Sequence, residues 1–179
     1  MLKPLNKCIG LLGGSFDPAH KGHLKISKIA INKIKLDKVL WIVAKKNPFK
    51  IKPFYSLSQR IVKAKKIVKG IKKIRVIHLD EVVQSSRTIN IINYLINKKK
   101  LKNIYFIIGA DNLIKFHKWK SWKKIVKLTK LIVFSRKGYD RKSKKSTVAK
   151  YLKNKIIYIN NKPIIISSTK IRKQTRINS

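Results

Sequence analysis

The sequence predicts an α/β protein: a doubly wound parallel sheet with helices on both faces. Three observations predict it. Short β-branched apolar runs recur along the chain. Segments with apolar residues at helical spacing separate them. The runs are apolar throughout rather than alternating, as expected of strands covered on both sides. Right-handed crossovers then distribute the helices over both faces.

Taken in order, Cys8–Leu12 reads as the first strand, and Leu24, Ile26, Ile29 and Ala30 mark one face of the helix after it. Lys38–Val43 is the second strand. A helix over 57–69 follows, with Leu57, Ile61, Ala64 and Val68 on one face. Ile74–Leu79 is the third strand, and 88–97 is a helix carrying Ile91, Ile92, Leu95 and Ile96. Ile104–Ile108, Leu131–Phe134 and Ile156–Ile159 complete the set. The polar, basic stretch Arg136–Ser146 is the segment expected to be disordered. Neither a repeat nor a linker divides the chain, so residues 1–179 read as one domain.

Composition narrows the function classes. The chain has 179 residues, 44% of them hydrophobic, and a single cysteine, which excludes an internal disulfide and fits a reducing compartment. No apolar run approaches the ~20 residues of a membrane span. The apolar stretch within Met1–Leu12 is too short for a signal peptide. The expectation is a cytoplasmic protein with no membrane partner; its oligomeric state stays open. The formal charge of +40 comes from 46 basic against 6 acidic residues. These lysines are dispersed with abundant Ile and Asn, as AT-rich codons favour, and form neither a stripe nor a tail. A basic RNA-binding module would offer an aromatic platform or a basic stripe. No specific nucleic-acid partner is expected.

In α/β sheets of this kind ligands bind beyond the carboxyl ends of the strands. The loop after the first strand is Gly13-Gly14-Ser15-Phe16-Asp17-Pro18-Ala19-His20-Lys21-Gly22-His23. A strand-to-helix junction presents backbone N–H groups and the positive end of a helix dipole, which suits phosphate. Glycine removes the Cβ that would keep a ligand away. The histidines can donate hydrogen bonds and add charge when protonated. Two other readings stand beside this one: a capped glycine-rich turn, and a metal site on His20 and His23. The second lacks the third and fourth ligands a stable zinc site wants, so no protein metal site is expected. Near the other end, Ile166-Ser167-Ser168-Thr169-Lys170-Ile171-Arg172 opens a short helix. Its hydroxyls either cap backbone N–H groups or join Arg172 in holding a phosphate.

His20-Lys21-Gly22-His23 with the preceding Gly13–Pro18 resembles the HxGH signature of nucleotidyltransferases, and 166–172 resembles their ISSTxIR element. Phe106–Leu113 with Phe116-His117-Lys118-Trp119 resembles the GADN…FHxW stretch of bacterial nicotinate mononucleotide adenylyltransferases. Asn47-Pro48-Phe49-Lys50 looks like their NPxK loop, and Ser86-Arg87-Thr88 stands where they carry SYT or RYT. Arg87 replaces the usual tyrosine, and Asn90 the usual acidic residue.

The resemblance covers residues 9–172 and implies a Rossmann-like sheet. It also implies transfer of AMP from ATP to nicotinate mononucleotide, giving nicotinate adenine dinucleotide and pyrophosphate in NAD biosynthesis. Other acceptors, nicotinamide mononucleotide or phosphopantetheine, are the alternatives. His20 and His23 would contact the ATP phosphates as the catalytic pair, with Gly13, Gly14, Ser15 and Phe16 lining the nucleotide. Gly109 and Asp111 would hold the adenosine; the plain alternative for Asp111 is a helix N-cap. Ser168, Thr169 and Arg172 would grip the β- and γ-phosphates. Asn47 and Lys50 would meet the acceptor phosphate. Trp119 would stack on the pyridine ring or else pack in the core, and Thr88 and Lys120 would present backbone N–H groups to the nicotinate carboxylate. Mg²⁺ would be carried mainly by the ATP phosphates.

Overall fold

The computed structural model describes residues 7–46, 53–161 and 166–177, apart from the side chain of Arg176. Asn47 and Lys50 lie outside the described residues. The strands are β1 (Cys8–Gly14), β2 (Lys38–Val43), β3 (Ile74–Ile77), β4 (Asn103–Gly109), β5 (Lys130–Phe134) and β6 (Ile156–Ile159). The helices are α1 (Lys21–Ile34), α2 (Leu57–Val68), α3 (Asp80–Val83), α4 (Thr88–Asn97) and α5 (Ala110–Lys115). They continue as α6 (Trp122–Leu128), α7 (Asp140–Lys144), α8 (Thr147–Leu152) and α9 (Ser168–Ile177). All six strands form one sheet in the order β3-β2-β1-β4-β5-β6, and every pairing is parallel. This is the doubly wound, Rossmann-like α/β arrangement, with order reversing between β1 and β4.

Strand periodicity sorts the core into two layers. Leu12, Trp41, Val43, Ile107 and Ile132 face one side and pack with Ala30 and Ile31 of α1 and Ala64 and Val68 of α2. Leu11, Phe106, Ile108 and Val133 face the other, against Ile92 and Leu95 of α4, Leu113 of α5, Ile125 of α6 and Val148 of α8. Each such fully buried side chain stabilises the fold by about 1.5–3 kcal/mol. The solvent faces of α1, α2, α5, α6 and α8 carry lysines.

The expected strands and the 57–69 and 88–97 helices stand within a residue or two of their predicted bounds. Two expectations are corrected. The third strand stops at Ile77 instead of Leu79, because His78 Nδ1 turns to the Val43 carbonyl (2.7 Å) and Asp80 begins α3. Arg136–Ser146 is not a disordered loop. The Asp140 carboxylate accepts from the Ser135 hydroxyl (2.7 Å) and the Arg136 N–H (2.9 Å), which folds the segment into α7. Ser146 then caps α8 through the Ala149 N–H at 3.3 Å.

One glycine is set by close approach. A Cβ at Gly10 of β1 would lie 2.9 Å from Leu36 Cδ1, 3.0 Å from Ile107 Cδ1 and 3.1 Å from Val39 Cγ2. All three neighbours are essentially buried. Gly10→Ala is therefore expected to destabilise the protein by about 1–3 kcal/mol through overpacking, read as a lower urea midpoint at unchanged slope. An unchanged midpoint would show that the layer between β1 and the α1–β2 turn is slack.

Candidate active site

Parallel pairing brings the loops after β1, β2, β3, β4 and β5 to one edge of the sheet. The first loop is built around aromatic packing. Phe16, at φ 46°, is 2% exposed, and its ring stacks on Trp41 with centroids 5.1 Å apart. His23 packs on Phe16 at 4.9 Å, and His20 lies over His23 at 3.9 Å. Trp41 is pinned from below: its Nε1–H donates to the Ser27 hydroxyl (2.8 Å), which donates to the His23 carbonyl (2.8 Å). The Phe16 ring thus supports the histidines from the core side. Nothing lies within 4 Å of where a Gly13 Cβ would project, so the outer face of that loop is open.

The two histidines cap α1 reciprocally. His20 Nδ1 accepts from the Gly22 N–H (3.1 Å), and His23 Nδ1 accepts from the His20 N–H (3.2 Å). An Nδ1 that accepts has no proton, so the hydrogen of each neutral ring sits on Nε2. Burial, and then the nearby Arg136 guanidinium, lower the His20 pKa from 6.5 to about 4. At neutral pH His20 is thus a neutral Nε2–H donor, not the cation that sequence reasoning allowed. The first turn of α1 contains no acidic residue, so the positive end of its dipole is not cancelled by a carboxylate.

The last helix meets this loop from the far end of the chain. Ser168 Oγ–H donates to the Pro18 carbonyl at 2.9 Å, and Arg172 donates to the Asp17 carbonyl at 2.5 Å. A second nitrogen of Arg172 reaches Thr169 Oγ1 at 3.2 Å. The Asp17 carboxylate, 3% exposed, accepts the N–H groups of Phe54 and Tyr55, each at 2.9 Å. The two outer motifs are therefore in contact.

Asp111 lies in the first turn of α5, whose N-cap is Gly109 without a side-chain bond, so Asp111 is not the cap. One of its oxygens pairs with Arg136 at 2.6 Å, while Oδ1 is buried without a partner. A Cβ at Gly109 would come within 2.6 Å of that Oδ1, so the glycine makes room for the carboxylate. Thr88 is the first residue of α4, and Asn90 donates to Ser85 Oγ at 3.0 Å, which also receives the Arg87 N–H at 3.1 Å. The Ser85 hydroxyl oxygen therefore gathers the Asn90 side chain and the Arg87 backbone N–H into one turn, in which only the Asn90 departure uses its side chain. Trp119 is half-buried against Phe116 (5.0 Å) and Phe106 (6.1 Å), and Lys120 is exposed.

Sequence reasoning missed three residues at this edge. Arg136 joins Asp111 and acts on His20. Asp80, 5% exposed, accepts the Lys45 N–H (2.7 Å) and the Ser86 hydroxyl. Arg60, 1% exposed, donates to the carbonyls of Ser15 (2.7 Å), Ala44 (2.7 Å), Lys45 (3.1 Å) and Tyr55 (3.2 Å). Burial lowers the Arg60 pKa, and Asp17 and Asp80 oppose that shift. A signal for Arg60 existed: it shares the core-facing stripe of α2 with Ala64 and Val68.

A family model described as cytidylyltransferase-like matches residues 11–174. A protein of Pelagibacter ubique (strain HTCC1062) named "Probable nicotinate-nucleotide adenylyltransferase" is 49% identical over 180 residues, 97% of this chain and 99% of its own length. One of the same name from Ruegeria sp. (strain TM1040) is 35% identical over 130 residues, 73% of this chain and 68% of its own. Among solved structures, Plasmodium falciparum nicotinic acid mononucleotide adenylyltransferase complexed with NaAD superposes with a TM-score of 0.74 at 20% identity. That match covers 93% of this chain and 83% of the other, and it shows a shared fold.

The His20 geometry has a pH consequence. Its folded pKa lies below the unfolded value, so between about 4 and 6.5 the unfolded chain holds the extra proton. Stability from this group is complete above pH 6.5, falls as pH drops toward about 4, and then levels. Ring ¹⁵N NMR is expected to show the Nε2–H tautomer of His20 down to about pH 5. Titration of this ring near 6.5 would contradict the buried, Arg136-flanked placement.

Proposed function

We propose that this chain, which belongs to the cytidylyltransferase-like family and within it to the nicotinate-nucleotide adenylyltransferases, transfers the AMP moiety of ATP to nicotinate mononucleotide. The products are nicotinate adenine dinucleotide and pyrophosphate, a step of NAD biosynthesis. The 49% identity over 97% of the chain carries this reading. The junction of the two outer motifs at the carboxyl edge supports it.

A phosphate oxygen of the mononucleotide attacks the α-phosphorus of ATP. That P–O bond forms as the bond to the bridging α–β oxygen breaks, and pyrophosphate leaves with its electrons. The nucleophile is already anionic, so the protein supplies positioning and charge stabilisation rather than a base. In this reading His20 Nε2–H and the first turn of α1 meet the α-phosphate, with His23 fixing the His20 backbone. Gly13, Gly14, Ser15 and Phe16 shape the nucleotide loop. Ser168, Thr169 and Arg172 meet the β- and γ-phosphates at the start of α9, whose first turn has no acidic residue to repel them. Gly109 and Asp111 take the adenosine. Asn47 and Lys50 take the acceptor phosphate, Trp119 the pyridine ring, and the N–H groups of Thr88 and Lys120 the carboxylate.

Among the described residues no three His, Cys, Asp or Glu side chains cluster to hold a metal. Mg²⁺ enters this reading on the ATP phosphates, where it neutralises charge. No described helix is long and apolar enough to cross a membrane. We place the enzyme in the cytoplasm as one domain over 1–179, with no specific nucleic-acid partner.

Nicotinate mononucleotide is expected to be used well ahead of its amide, because unneutralised N–H groups opening α4 suit a carboxylate. Coupled pyrophosphate assays with each acceptor, and with phosphopantetheine, measure kcat/KM; equal values or preference for the amide would overturn the acceptor. His20→Ala is expected to lose at least about 10²-fold in kcat with a much smaller change in the KM for ATP, as for loss of a preorganised donor. A variant within a few-fold of wild type would leave His20 only its capping role.

A further inference from the structure

We propose that Asp80 is a positioning residue for the acceptor mononucleotide, acting through the two loops that its carboxylate ties together. The inference rests on the acceptor reading above and names a residue which that reading does not use. One oxygen, Oδ2, accepts both the Lys45 N–H at 2.7 Å and the Ser86 hydroxyl. Lys45 belongs to the loop after β2. Ser86 stands two residues before Thr88, where α4 begins. A single buried carboxylate atom thus ties Lys45, just after β2, to the turn before Thr88, the helix start assigned to the nicotinate carboxylate.

The Lys45 peptide is held from both sides. Its N–H goes to Asp80, and its carbonyl accepts from Arg60 at 3.1 Å, beside the Ala44 carbonyl at 2.7 Å. Opposite charges therefore clamp the segment leaving β2. The second oxygen of Asp80 is buried without a hydrogen-bond partner, 4.0 Å from His78 Nδ1, which is already committed to the Val43 carbonyl. A half-satisfied buried carboxylate is a costly way to build a turn.

The placement of these bonds makes the effect selective. Asp80 follows β3, Lys45 follows β2, and Ser86 leads into α4. The expected ATP contacts lie on the β1 loop, on the β4–α5 turn and on α9. Arg60 reaches the β1 loop through the Ser15 carbonyl, whereas the bonds Asp80 accepts come from Lys45 and Ser86.

The test uses the full chain with Asp80→Ala, Asp80→Asn, Ser86→Ala and the Asp80→Ala/Ser86→Ala double variant. Steady-state kinetics and calorimetry are read with nicotinate mononucleotide and ATP separately. Asp80→Ala is expected to raise the acceptor KM and Kd about 10-fold or more while those of ATP stay within about three-fold, since misplacement by an ångström is enough for such losses. Asp80→Asn, whose amide oxygen still accepts the Lys45 N–H, recovers most of the loss. Ser86→Ala shifts the acceptor in the same direction by less. The double variant is no worse than Asp80→Ala, because one network is removed once. Amide exchange at Lys45 accelerates in the ligand-free Asp80→Ala protein; if that variant does not fold, Ser86→Ala carries the same comparison, with Asp80→Asn as its conservative control. Equal shifts for both substrates, or an unchanged acceptor KM in every variant, would overturn the proposal. A wild type that binds another mononucleotide in place of the nicotinate one overturns the acceptor reading alone, and the split is then read with that ligand. A wild type that binds no mononucleotide overturns both.

Discussion

The Arg60 guanidinium gathers four backbone carbonyls from three separate segments: Ser15 after β1, Ala44 and Lys45 after β2, and Tyr55 before α2. A buried cation costs several kcal/mol unless its N–H groups are satisfied and its charge is balanced. Here the fork is used by carbonyls, and Asp17 and Asp80 supply the charge. The planar five-donor geometry explains why lysine, the common cation of this chain, does not stand at this position. Ser15 follows β1 and Lys45 follows β2, so one side chain ties the loops after these two strands together.

The acidic residues show the same economy. Against 46 basic residues the chain has six acids, and five of them hold backbone or side-chain groups of the fold rather than a surface lysine. Asp17 holds the Phe54–Tyr55 backbone, Asp37 accepts the Cys8 N–H at 2.7 Å, and Asp80 joins Lys45 to Ser86. Asp111 pairs with Arg136, and Asp140 folds the segment after β5. Glu81 lies 4.0 Å from the Lys45 ammonium. Apart from Asp37, all of them act at the carboxyl edge of the sheet. The first turns of α1, α2 and α4 have no acidic residue, so their dipoles are not cancelled by a carboxylate of their own, whereas α3, α5 and α7 begin with acids.

The neutral state of His20 follows from the same surroundings. A cation in that position would face the α1 dipole, burial and Arg136 together. The ring is held instead by its own helix cap and offers a fixed N–H. A donor that is already oriented pays no reorganisation when charge develops opposite it.

The sequence by itself determined the sheet and its order of elements, because continuous apolar runs and helical stripes are local patterns with fixed periods. It also placed the outer motifs, whose residue types at a strand-to-helix junction suit phosphate whatever surrounds them. Tertiary structure decided the rest. The Phe16 ring, expected to line the nucleotide, is buried against Trp41, a contact that only the folded chain shows. Arg136–Ser146 looked like loop because its order comes from one carboxylate, Asp140, closing on residues before it. Arg60 and Asp80 went unread because their partners include backbone groups as far as 45 and 35 residues away, and backbone groups have no signature in sequence. Periodicity reports which face of an element is buried; it does not report a polar side chain whose partners are brought to it only when the strand ends meet.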